Sequence, residues 1–447
     1  MVKKIFSLFF VILVLTICTA PAYAYEPTGE ELHCKSGLLV CLDTDEVIYS
    51  LDADKKVYPA SITKIMTVLL MLESEKYSPN SKIKMTKDVQ EALSGTGSSV
   101  SNLKAGEAIT QLDLVYMVLM ASYGDCAYLA SVYFGGSVSN FVDMMNKRAS
   151  ELGLSSTHYA NPIGLHDEQN YTTANDTYKL ASFAIKNKTF KKVCETVRYT
   201  VKATNMSGER ILSTTNFLQD STTNYYYSYA GGVKTGYTDE AGRCLVSTAS
   251  YNGYNYMCIL FGCPPNAGIR YEFIDSKNLY RWAFNNFIYK QVADTNEPVC
   301  EVPVELSFDT DFVSLYVKEG FISVLPKDSD ESTVTFKYDQ NPKSVEAPIK
   351  KGQILGKADI VYAEKVIGTV DLVAGEDINR SFLLYGLKKA KQILSSVYMK
   401  LIYVVAAIIV LIFIILVIRL NSGRAKRRKV KYKPYNERKE TRGNGKH

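Results

Sequence analysis

The chain has 447 residues and a formal net charge of +6 at pH 7, and the positive excess comes from a basic C-terminal tail. Because this tail follows an apolar segment, we interpret it as a signal for membrane topology and anionic lipids, and we expect no nucleic-acid binding. The nine cysteines and four histidines show no Cys-x-x-Cys pair and no zinc-site spacing. A metal centre is therefore not expected, and no nucleotide or organic cofactor is implied.

The N-terminus has the features of a secretory signal peptide. A short positive region at residues 3–4 precedes an apolar stretch at residues 5–17, and small residues follow as Ala22-Tyr23-Ala24. This order predicts a signal peptide over residues 1–24, with cleavage after the last alanine. An uncleaved membrane anchor is the alternative, although the apolar stretch is short for a membrane span.

A second apolar segment, at residues 401–418, is near the lower length limit for a transmembrane helix. The tail that follows it, residues 419–447, is rich in Lys and Arg, and positive charge of this kind stays on the cytoplasmic side. A buried core helix is the alternative interpretation. Together with the signal peptide, this segment predicts a single-pass protein of the cell membrane whose main body lies on the extracytoplasmic side.

The exported part is too long for one typical compact domain. Strand-like and helix-like segments alternate through most of it, and the run 294–298 interrupts this pattern. We predict a first domain at residues 25–293 and a small β-rich domain at residues 299–374, where short strands alternate with turns. Residues 376–400 are predicted to form a helical connector to the membrane segment.

Within the first domain, four segments give secondary-structure predictions. Residues 37–51 are typical of two short strands around a turn, and residues 65–72 of an apolar helix. Residues 111–134 are interpreted as one long, largely buried helical region. The β-rich residues 242–262 are expected to form a hairpin around Asn252-Gly253, which is a strong turn signal.

Ser61 and Lys64 form a Ser-x-x-Lys motif at the start of the apolar helix. Positions i and i+3 share one face of a helix, so the lysine amine can lie beside the serine hydroxyl. A free serine is a poor nucleophile and needs a base, and a lysine can serve if burial lowers its pKa. The apolar run 65–72 would bury this helix. Alone the motif occurs often by chance, and a surface helix capped by Ser61 is the alternative.

A second motif, Lys234-Thr235-Gly236, precedes the predicted hairpin. Lys234 offers a positive charge and Thr235 a hydroxyl donor, which together suit a terminal carboxylate. Gly236 lets a substrate backbone lie close to the strand. Alone this motif is also weak, and a glycine turn with an exposed lysine is the alternative.

Together and in this order, the two motifs resemble the active-site motifs of penicillin-binding proteins and serine β-lactamases. Their flanks narrow the resemblance to the D-alanyl-D-alanine carboxypeptidases, which are low-molecular-mass penicillin-binding proteins. The similar segments are Pro59-Ala60-Ser61-Ile62-Thr63-Lys64, Asn161-Pro162-Ile163-Gly164-Leu165-His166-Asp167 and Lys234-Thr235-Gly236-Tyr237-Thr238-Asp239. The resemblance covers residues 35–287, and a weaker one covers the β-rich domain.

The resemblance implies a fold and an activity. The fold is a two-lobed α/β (α+β) catalytic domain of the penicillin-binding/β-lactamase type with an antiparallel sheet, followed by the small all-β domain and the C-terminal transmembrane helix. The activity is that of a hydrolase of cell-wall biogenesis and cell shape. It would remove the terminal D-alanine from peptidoglycan stem pentapeptides ending in D-Ala-D-Ala, with β-lactams as covalent inhibitors.

The same resemblance implies roles for individual residues. Ser61 would attack the peptide carbonyl, and Lys64 would take its proton. The backbone N–H groups of Ser61 and Tyr237 would form the oxyanion hole. The substrate would be bound by Lys234, Thr235, Gly236, Tyr237 and Arg270, the last of which would help to hold its carboxylate.

One motif departs from the family pattern. The family has Ser-x-Asn in the helical lobe, and its counterpart here is Ser122-Tyr123-Gly124. Ser122 is expected to relay a proton to the leaving nitrogen, but Gly124 has no amide to orient Lys64 and bind substrate. Three interpretations stay open: an active enzyme with altered rate or specificity, replacement of the amide by water or another side chain, and a peptidoglycan- or β-lactam-binding protein with little activity.

Two other enzyme classes are disfavoured. The membrane segment, the β-rich domain and the flanks of the motifs argue against a β-lactamase. A Ser-His-Asp hydrolase is disfavoured because the sequence has no Gly-x-Ser-x-Gly elbow and its histidines show no triad pattern. An active carboxypeptidase is the main prediction, because the nucleophile, the base, the relay serine and the carboxylate site are all present.

Overall fold

The computed structural model describes residues 32–430 except 267, 331–332 and 339–342, and it describes side chains as far as residue 421. The predicted signal peptide at residues 1–24 lies outside the described residues. The same is true of residues 431–447 of the predicted basic tail, and of the side chains of residues 422–430.

The described part of the chain alternates helices with strands as far as residue 293 and then becomes mostly β. The helices are α1 (Lys64–Glu73), α2 (Lys87–Glu91), α3 (Gln111–Leu119), α4 (Gly124–Gly135), α5 (Val138–Glu151), α6 (Ala174–Ala184), α7 (Lys188–Cys194), α8 (Tyr271–Asn286), α9 (Phe382–Leu394) and α10 (Val397–Val430). The strands up to that point are β1 (Ser36–Cys41), β2 (Val47–Leu51), β3 (Lys82–Lys84), β4 (Ala108–Thr110), β5 (Arg198–Val201), β6 (Arg210–Ser213), β7 (Ala230–Thr238), β8 (Gly242–Tyr251), β9 (Tyr254–Cys263) and β10 (Phe287–Ala293). The later strands are β11 (Pro298–Glu305), β12 (Phe312–Val317), β13 (Phe321–Pro326), β14 (Val334–Tyr338), β15 (Val345–Glu346), β16 (Ile354–Tyr362) and β17 (Lys365–Ala374).

Five strands form an antiparallel sheet in the order β2-β1-β9-β8-β7. The predicted strand pair at residues 37–51 is confirmed as β1 and β2. The predicted hairpin is confirmed as β8 and β9, which are joined by Asn252 and Gly253 with φ of 50° and 85°. Positive φ at both central residues gives the turn the twist that a two-residue hairpin needs.

Both faces of this sheet are covered, which explains why its strands are almost continuously apolar. Side chains alternate between the two faces of a strand. On β1, Leu38 and Val40 accordingly pack in one core with apolar residues of α1 and α3, whereas Leu39 and Cys41 pack in a second core with residues of α8. The first core also confirms the prediction that residues 65–72 form a buried helix, because α1 is almost wholly enclosed in it.

The apolar region at residues 111–134 forms two helices, so the prediction of one long helical region is wrong in its continuity. α3 ends at Leu119 and α4 begins at Gly124. Between them, Ser122 has φ of +63°, a left-handed conformation that cannot continue a right-handed helix. Hydrophobic periodicity does not reveal such a local backbone turn. The consequence of the break is that Ser122 lies at the entrance to α4 and not inside a helix.

The described residues fall into two compact units. One contains the residues up to Asp294 together with Gly320–Lys337 and Asp359–Thr369, and the other contains Thr295–Glu319, Tyr338–Ala358 and the residues from Val370 onward. In the second unit, β11 pairs antiparallel with β12 and parallel with β15, and β12 pairs with the last residues of β17. These pairings join strand residues within the second unit.

Two helices end the described chain. Ser381 caps α9, and its hydroxyl accepts a hydrogen bond from Leu384 N at 3.3 Å. In α10, Val397–Asn421 is a 25-residue stretch that is long and apolar enough to cross a membrane, and its most apolar part is not buried against the protein. Length and composition therefore make it a candidate membrane span.

Candidate active site

Ser61 lies in a short 3-10 turn, Ala60–Thr63, that leads directly into α1. Ala60 is buried and has φ of +47°, which is a strained conformation for a residue with a side chain. Because the turn continues into the helix, Ser61 and Lys64 share one face. Lys64 Nζ donates a hydrogen bond to Ser61 Oγ at 2.8 Å. The amine and the hydroxyl are therefore in contact, as the spacing predicts.

The Lys64 side chain is only 2% exposed. Its amine also donates a hydrogen bond to the Ile163 carbonyl oxygen at 2.7 Å. Burial lowers the pKa of Lys64 from 10.5 to about 7, and attraction to Asp125 opposes this shift only in part. At neutral pH a large fraction of the amine is therefore uncharged and can accept a proton.

The loop 161–165 holds the carbonyl that faces Lys64. Asn161 Oδ1 accepts hydrogen bonds from the backbone N–H groups of Gly164 and Leu165 at 2.8 and 3.1 Å, and Asn161 Nδ2 donates to the Leu165 carbonyl at 3.0 Å. Gly164 has φ of +81°, and a Cβ there would lie 1.9 Å from the Ala60 carbonyl oxygen. Only glycine therefore fits between this loop and the turn that carries Ser61.

Lys234 lies on β7 and is 1% exposed. Its amine donates hydrogen bonds to Ser122 Oγ at 2.8 Å and to the Thr235 carbonyl at 2.9 Å. Burial holds the pKa of Lys234 well below its usual value, and repulsion from Lys64 lowers it further. The structure thus places Ser122 in contact with Lys234, whose amine is close enough to Lys64 for the two to repel each other.

β7 runs against the turn that carries Ser61. A Cβ on Gly236 would lie 3.1 Å from both the Ser61 nitrogen and the Pro59 carbonyl oxygen, so the strand and the turn are in close contact. Tyr237 follows at this point, with a side chain that is 45% exposed and a hydroxyl that donates to Asp239. The Ser61 and Tyr237 backbones are therefore brought to one place, as an oxyanion hole requires.

Thr235, the middle residue of the second motif, is 8% exposed. Its hydroxyl donates a hydrogen bond to Thr215 Oγ1 at 2.6 Å. Thr215 lies in the connection between β6 and β7 and is half-buried. A second hydroxyl therefore stands beside the predicted carboxylate-binding group.

Arg270 immediately precedes α8. Its Nε donates a hydrogen bond to Glu272 Oε1 at 2.6 Å, and its guanidinium lies over the rings of Phe217 and Phe273, 4.9 and 4.8 Å from their centroids. Within the described part of the chain, no hydrogen bond or ion pair joins Arg270 to Ser61. Its role in holding a substrate carboxylate stays a prediction.

The chain was compared with models of known protein families. A model described as D-alanyl-D-alanine carboxypeptidase matches residues 22–264. The chain belongs to this family. A second model, described as penicillin-binding protein 5, C-terminal domain, matches residues 287–380. The two models together account for both the predicted catalytic domain and the predicted β-rich domain.

Relatives of the chain agree with this membership. The D-alanyl-D-alanine carboxypeptidase DacF of Bacillus subtilis is 28% identical over 397 residues, which cover 87% of this chain and 97% of that protein. The D-alanyl-D-alanine carboxypeptidase of Streptomyces sp. strain K15 is 35% identical over 248 residues, which cover 53% of this chain and 83% of that protein.

A solved structure supports the fold. The crystal structure of penicillin binding protein 5 from Haemophilus influenzae matches with a TM-score of 0.62 at 25% identity, over 79% of this chain and 99% of that one. The predicted fold class, a penicillin-binding-protein-like catalytic domain followed by a small all-β domain, is confirmed by this similarity and by the two family models.

Gly124 stands where the carboxypeptidase family motif has asparagine, and it is the first residue of α4. Its backbone N–H donates a hydrogen bond to the Ser99 carbonyl at 2.7 Å. Asp125 accepts two hydrogen bonds from Ser101, at 3.0 Å from its backbone N–H and 2.6 Å from its hydroxyl. The start of α4 is therefore tied to the segment 98–101.

Sequence reasoning missed three groups at the site: the Ile163 carbonyl, the Asn161 side chain and the Thr215 hydroxyl. Asn161 belongs to a segment that resembles the family, which was the available signal, but its hydrogen bonds to the loop backbone could not be read from it. Thr215 gave no signal. In the described part of the chain, no group of three or more His, Cys, Asp or Glu side chains is arranged to hold a metal ion.

The pH dependence of the reaction should report the titration of Lys64. The pKa of Lys64 is lowered to about 7, so the amine is protonated and unable to act as a base at lower pH. We expect kcat/KM for D-alanine release to fall about tenfold per pH unit below pH 7 and to level off above it. The rate of acylation by penicillin should show the same fall below pH 7. A flat profile between about pH 5.5 and pH 8.5 would contradict the assignment of Lys64 as base.

Proposed function

We propose that this protein is a serine-type D-Ala-D-Ala carboxypeptidase that removes the terminal D-alanine from peptidoglycan stem pentapeptides through an acyl-enzyme on Ser61. The observation that carries the proposal is the buried Lys64 amine, 2.8 Å from the Ser61 hydroxyl and with a pKa lowered to about 7. Membership in the carboxypeptidase family supports the proposal. β-Lactams, which resemble the D-Ala-D-Ala end, would acylate the same serine.

In the first half-reaction, Ser61 Oγ attacks the carbonyl carbon between the two D-alanines, and its proton passes to the neutral Lys64 amine. The backbone N–H groups of Ser61 and Tyr237 stabilise the negative charge that develops on the carbonyl oxygen. The C–N bond then breaks, and the leaving nitrogen takes a proton from the Lys64 ammonium through the Ser122 hydroxyl. Free D-alanine leaves, and an ester remains on Ser61.

In the second half-reaction, water attacks the ester carbon and gives a proton to the Lys64 amine. The C–O bond to Ser61 breaks, and Ser61 Oγ takes the proton back from Lys64. The shortened peptide leaves with a new carboxylate. Lys64 therefore acts as base and then as acid in both halves, which a group with a pKa near neutrality can do.

Recognition of the free carboxylate end is assigned to Lys234 and Thr235. The amine of Lys234 is buried, and burial together with repulsion from Lys64 holds the pKa of Lys234 well below its usual value. A substrate carboxylate would raise this pKa, because an opposite charge favours the ammonium form. Arg270 is the further candidate for this carboxylate.

The activity is tested with the full-length chain in detergent and a peptide that ends in D-Ala-D-Ala. D-Alanine release is expected from this peptide. It is expected to be at least about tenfold slower when the C-terminus is amidated, because the amide gives Lys234 no negative partner. A peptide ending in L-Ala-L-Ala should not be cleaved. Covalent labelling by penicillin without any D-alanine release would instead favour the second candidate function, a β-lactam- or peptidoglycan-binding protein, which Gly124 motivates.

The membrane location is part of the proposal and rests on Val397–Asn421. We propose a single-pass anchor with the catalytic body outside and the basic tail, which attracts anionic lipids, inside. The full chain should stay with membranes through a wash in about 1 M salt, since apolar burial is not screened. A variant that ends at residue 396 should be released and should still bind penicillin. Release of the full chain by salt would contradict a membrane span.

A further inference from the structure

The place left open by Gly124 is filled by another side chain. A Cβ built on Gly124 would lie 2.1 Å from Ser98 Oγ and 3.2 Å from Leu93 Cδ1. The oxygen and nitrogen of an asparagine side-chain amide lie about 2.4 Å from the Cβ of the same residue, given standard bond lengths. The Ser98 hydroxyl oxygen is therefore nearly as far from this Cβ position as the amide atoms of an asparagine at position 124 would be.

Ser98 belongs to the segment that is tied to the start of α4. Ser99, the neighbour of Ser98, accepts a hydrogen bond at its carbonyl oxygen from Gly124 N at 2.7 Å. Ser101 donates hydrogen bonds from its backbone N–H and its hydroxyl to the Asp125 carboxylate. Asp125 is 3% exposed, so this connection is protected from water. The position of Ser98 is thus set by two successive residues of α4.

The Ser98 hydroxyl has the hydrogen-bonding capacity that an amide at position 124 would have. A hydroxyl can donate one hydrogen bond and accept others, as an amide can. In the part of the chain that the structure describes, Ser98 donates its backbone N–H to Thr96, but its hydroxyl makes no hydrogen bond to protein. Gly124 is two residues from Ser122, so the two Cα atoms are at most about 7 Å apart. The Ser98 hydroxyl therefore lies against the segment that carries Ser122, whose own hydroxyl contacts Lys234.

We infer that Ser98 is a substrate-binding residue of the active site, whose hydroxyl hydrogen-bonds the bound peptide. This inference rests on the proposed carboxypeptidase function. It explains how the site keeps a polar group at the place where the Ser-x-Asn motif here has glycine. The segment before α3, and not α4 itself, supplies the group.

The first test compares Ser98→Ala with Ser99→Ala in the full-length chain. Ser99 is the matched control, because its side chain is exposed and only its carbonyl contacts α4. We expect Ser98→Ala to lower kcat/KM for D-alanine release by about ten- to a hundredfold, which is typical for loss of one positioned hydrogen bond. Ser99→Ala should stay within about twofold of the parent. Both variants should keep the parent melting temperature.

The second test is a rescue, which a merely structural role would not allow. Ser98→Gly removes the hydroxyl and opens the space over residue 124, and Gly124→Asn in the same chain then supplies an amide there. The double variant is expected to release D-alanine faster than Ser98→Gly alone, because the two sites are coupled. A Ser98→Ala variant within about twofold of the parent, or a folded double variant no faster than Ser98→Gly, would overturn the inference.

The design separates this inference from the proposed function. If the parent chain releases no D-alanine, the carboxypeptidase function itself fails. If the parent is active and Ser98→Ala is equally active, only the role of Ser98 fails.

Discussion

Replacement of Ser61 by alanine is expected to abolish D-alanine release and covalent labelling by fluorescent penicillin together. In the proposed reaction the Ser61 oxygen forms the acyl bond, and the other acceptor of the Lys64 amine, the Ile163 carbonyl, cannot act as a nucleophile. Loss of a catalytic nucleophile lowers kcat by about 10⁴-fold or more in serine hydrolases. Both signals are measured on the same preparation, by D-alanine assay and by gel fluorescence.

The fold should survive this change, because Ser61→Ala removes one hydroxyl from a turn that α1 continues. Ser74→Ala is the matched control. Ser74 lies at the other end of α1, where its hydroxyl accepts only a local hydrogen bond from Lys76 N. This variant should keep full activity and labelling. Retention of more than about a hundredth of the parent activity by a folded Ser61→Ala variant would remove Ser61 as nucleophile.

Replacement of Gly164 by alanine is the second large effect that we expect. A Cβ at this position would lie 1.9 Å from the Ala60 carbonyl, and the φ of +81° is itself unfavourable for alanine. Because the overlap is with backbone, the turn that carries Ser61 or the loop that carries the Ile163 carbonyl must move. We expect a loss of about 2–4 kcal/mol in the free energy of unfolding and at least a hundredfold loss of activity.

The variant Gly136→Ala separates the effect of the steric overlap from the effect of the unfavourable φ. Gly136 has nearly the same φ, +79°, but a Cβ there meets nothing within 4 Å. This variant should therefore show only the backbone cost of about 1–2 kcal/mol and no loss of activity. Urea unfolding and D-alanine release measure both quantities for each variant. Equal behaviour of the two variants would contradict the close packing of Gly164 against Ala60.

The part of the site that is local in sequence could be predicted. Ser61 and Lys64 are three residues apart on a helix, so their contact follows from helical geometry. The burial that lowers the pKa of Lys64 follows from the apolar run after it. The antiparallel hairpin was likewise a local prediction, because Asn252-Gly253 determines the turn.

The long-range part of the site could be predicted only by resemblance to the family. Lys234 contacts Ser122 across 112 residues, and no periodicity or spacing indicates which of two distant segments will meet. The left-handed backbone at Ser122, which ends one helix before the next begins, was hidden within a continuous apolar pattern. The contact between Ser122 and Lys234 is therefore a finding of the structure.

The replacement for the motif asparagine is the clearest case that sequence could not resolve. The glycine at 124 is visible in the sequence, but the side chain that occupies its space comes from a separate segment before α3. Nothing in the serine-rich run 98–101 distinguishes Ser98 from its neighbours. Only the packing of this segment against the start of α4 selects it.

The central claim is an acyl-enzyme on Ser61, and the most direct measurement is the location of the penicillin adduct. The parent chain is treated with penicillin, digested and mapped by mass spectrometry. We predict one penicilloyl group per chain, on the peptide that carries Ser61. An adduct on another residue, or no adduct in a folded chain that nevertheless releases D-alanine, would contradict the account.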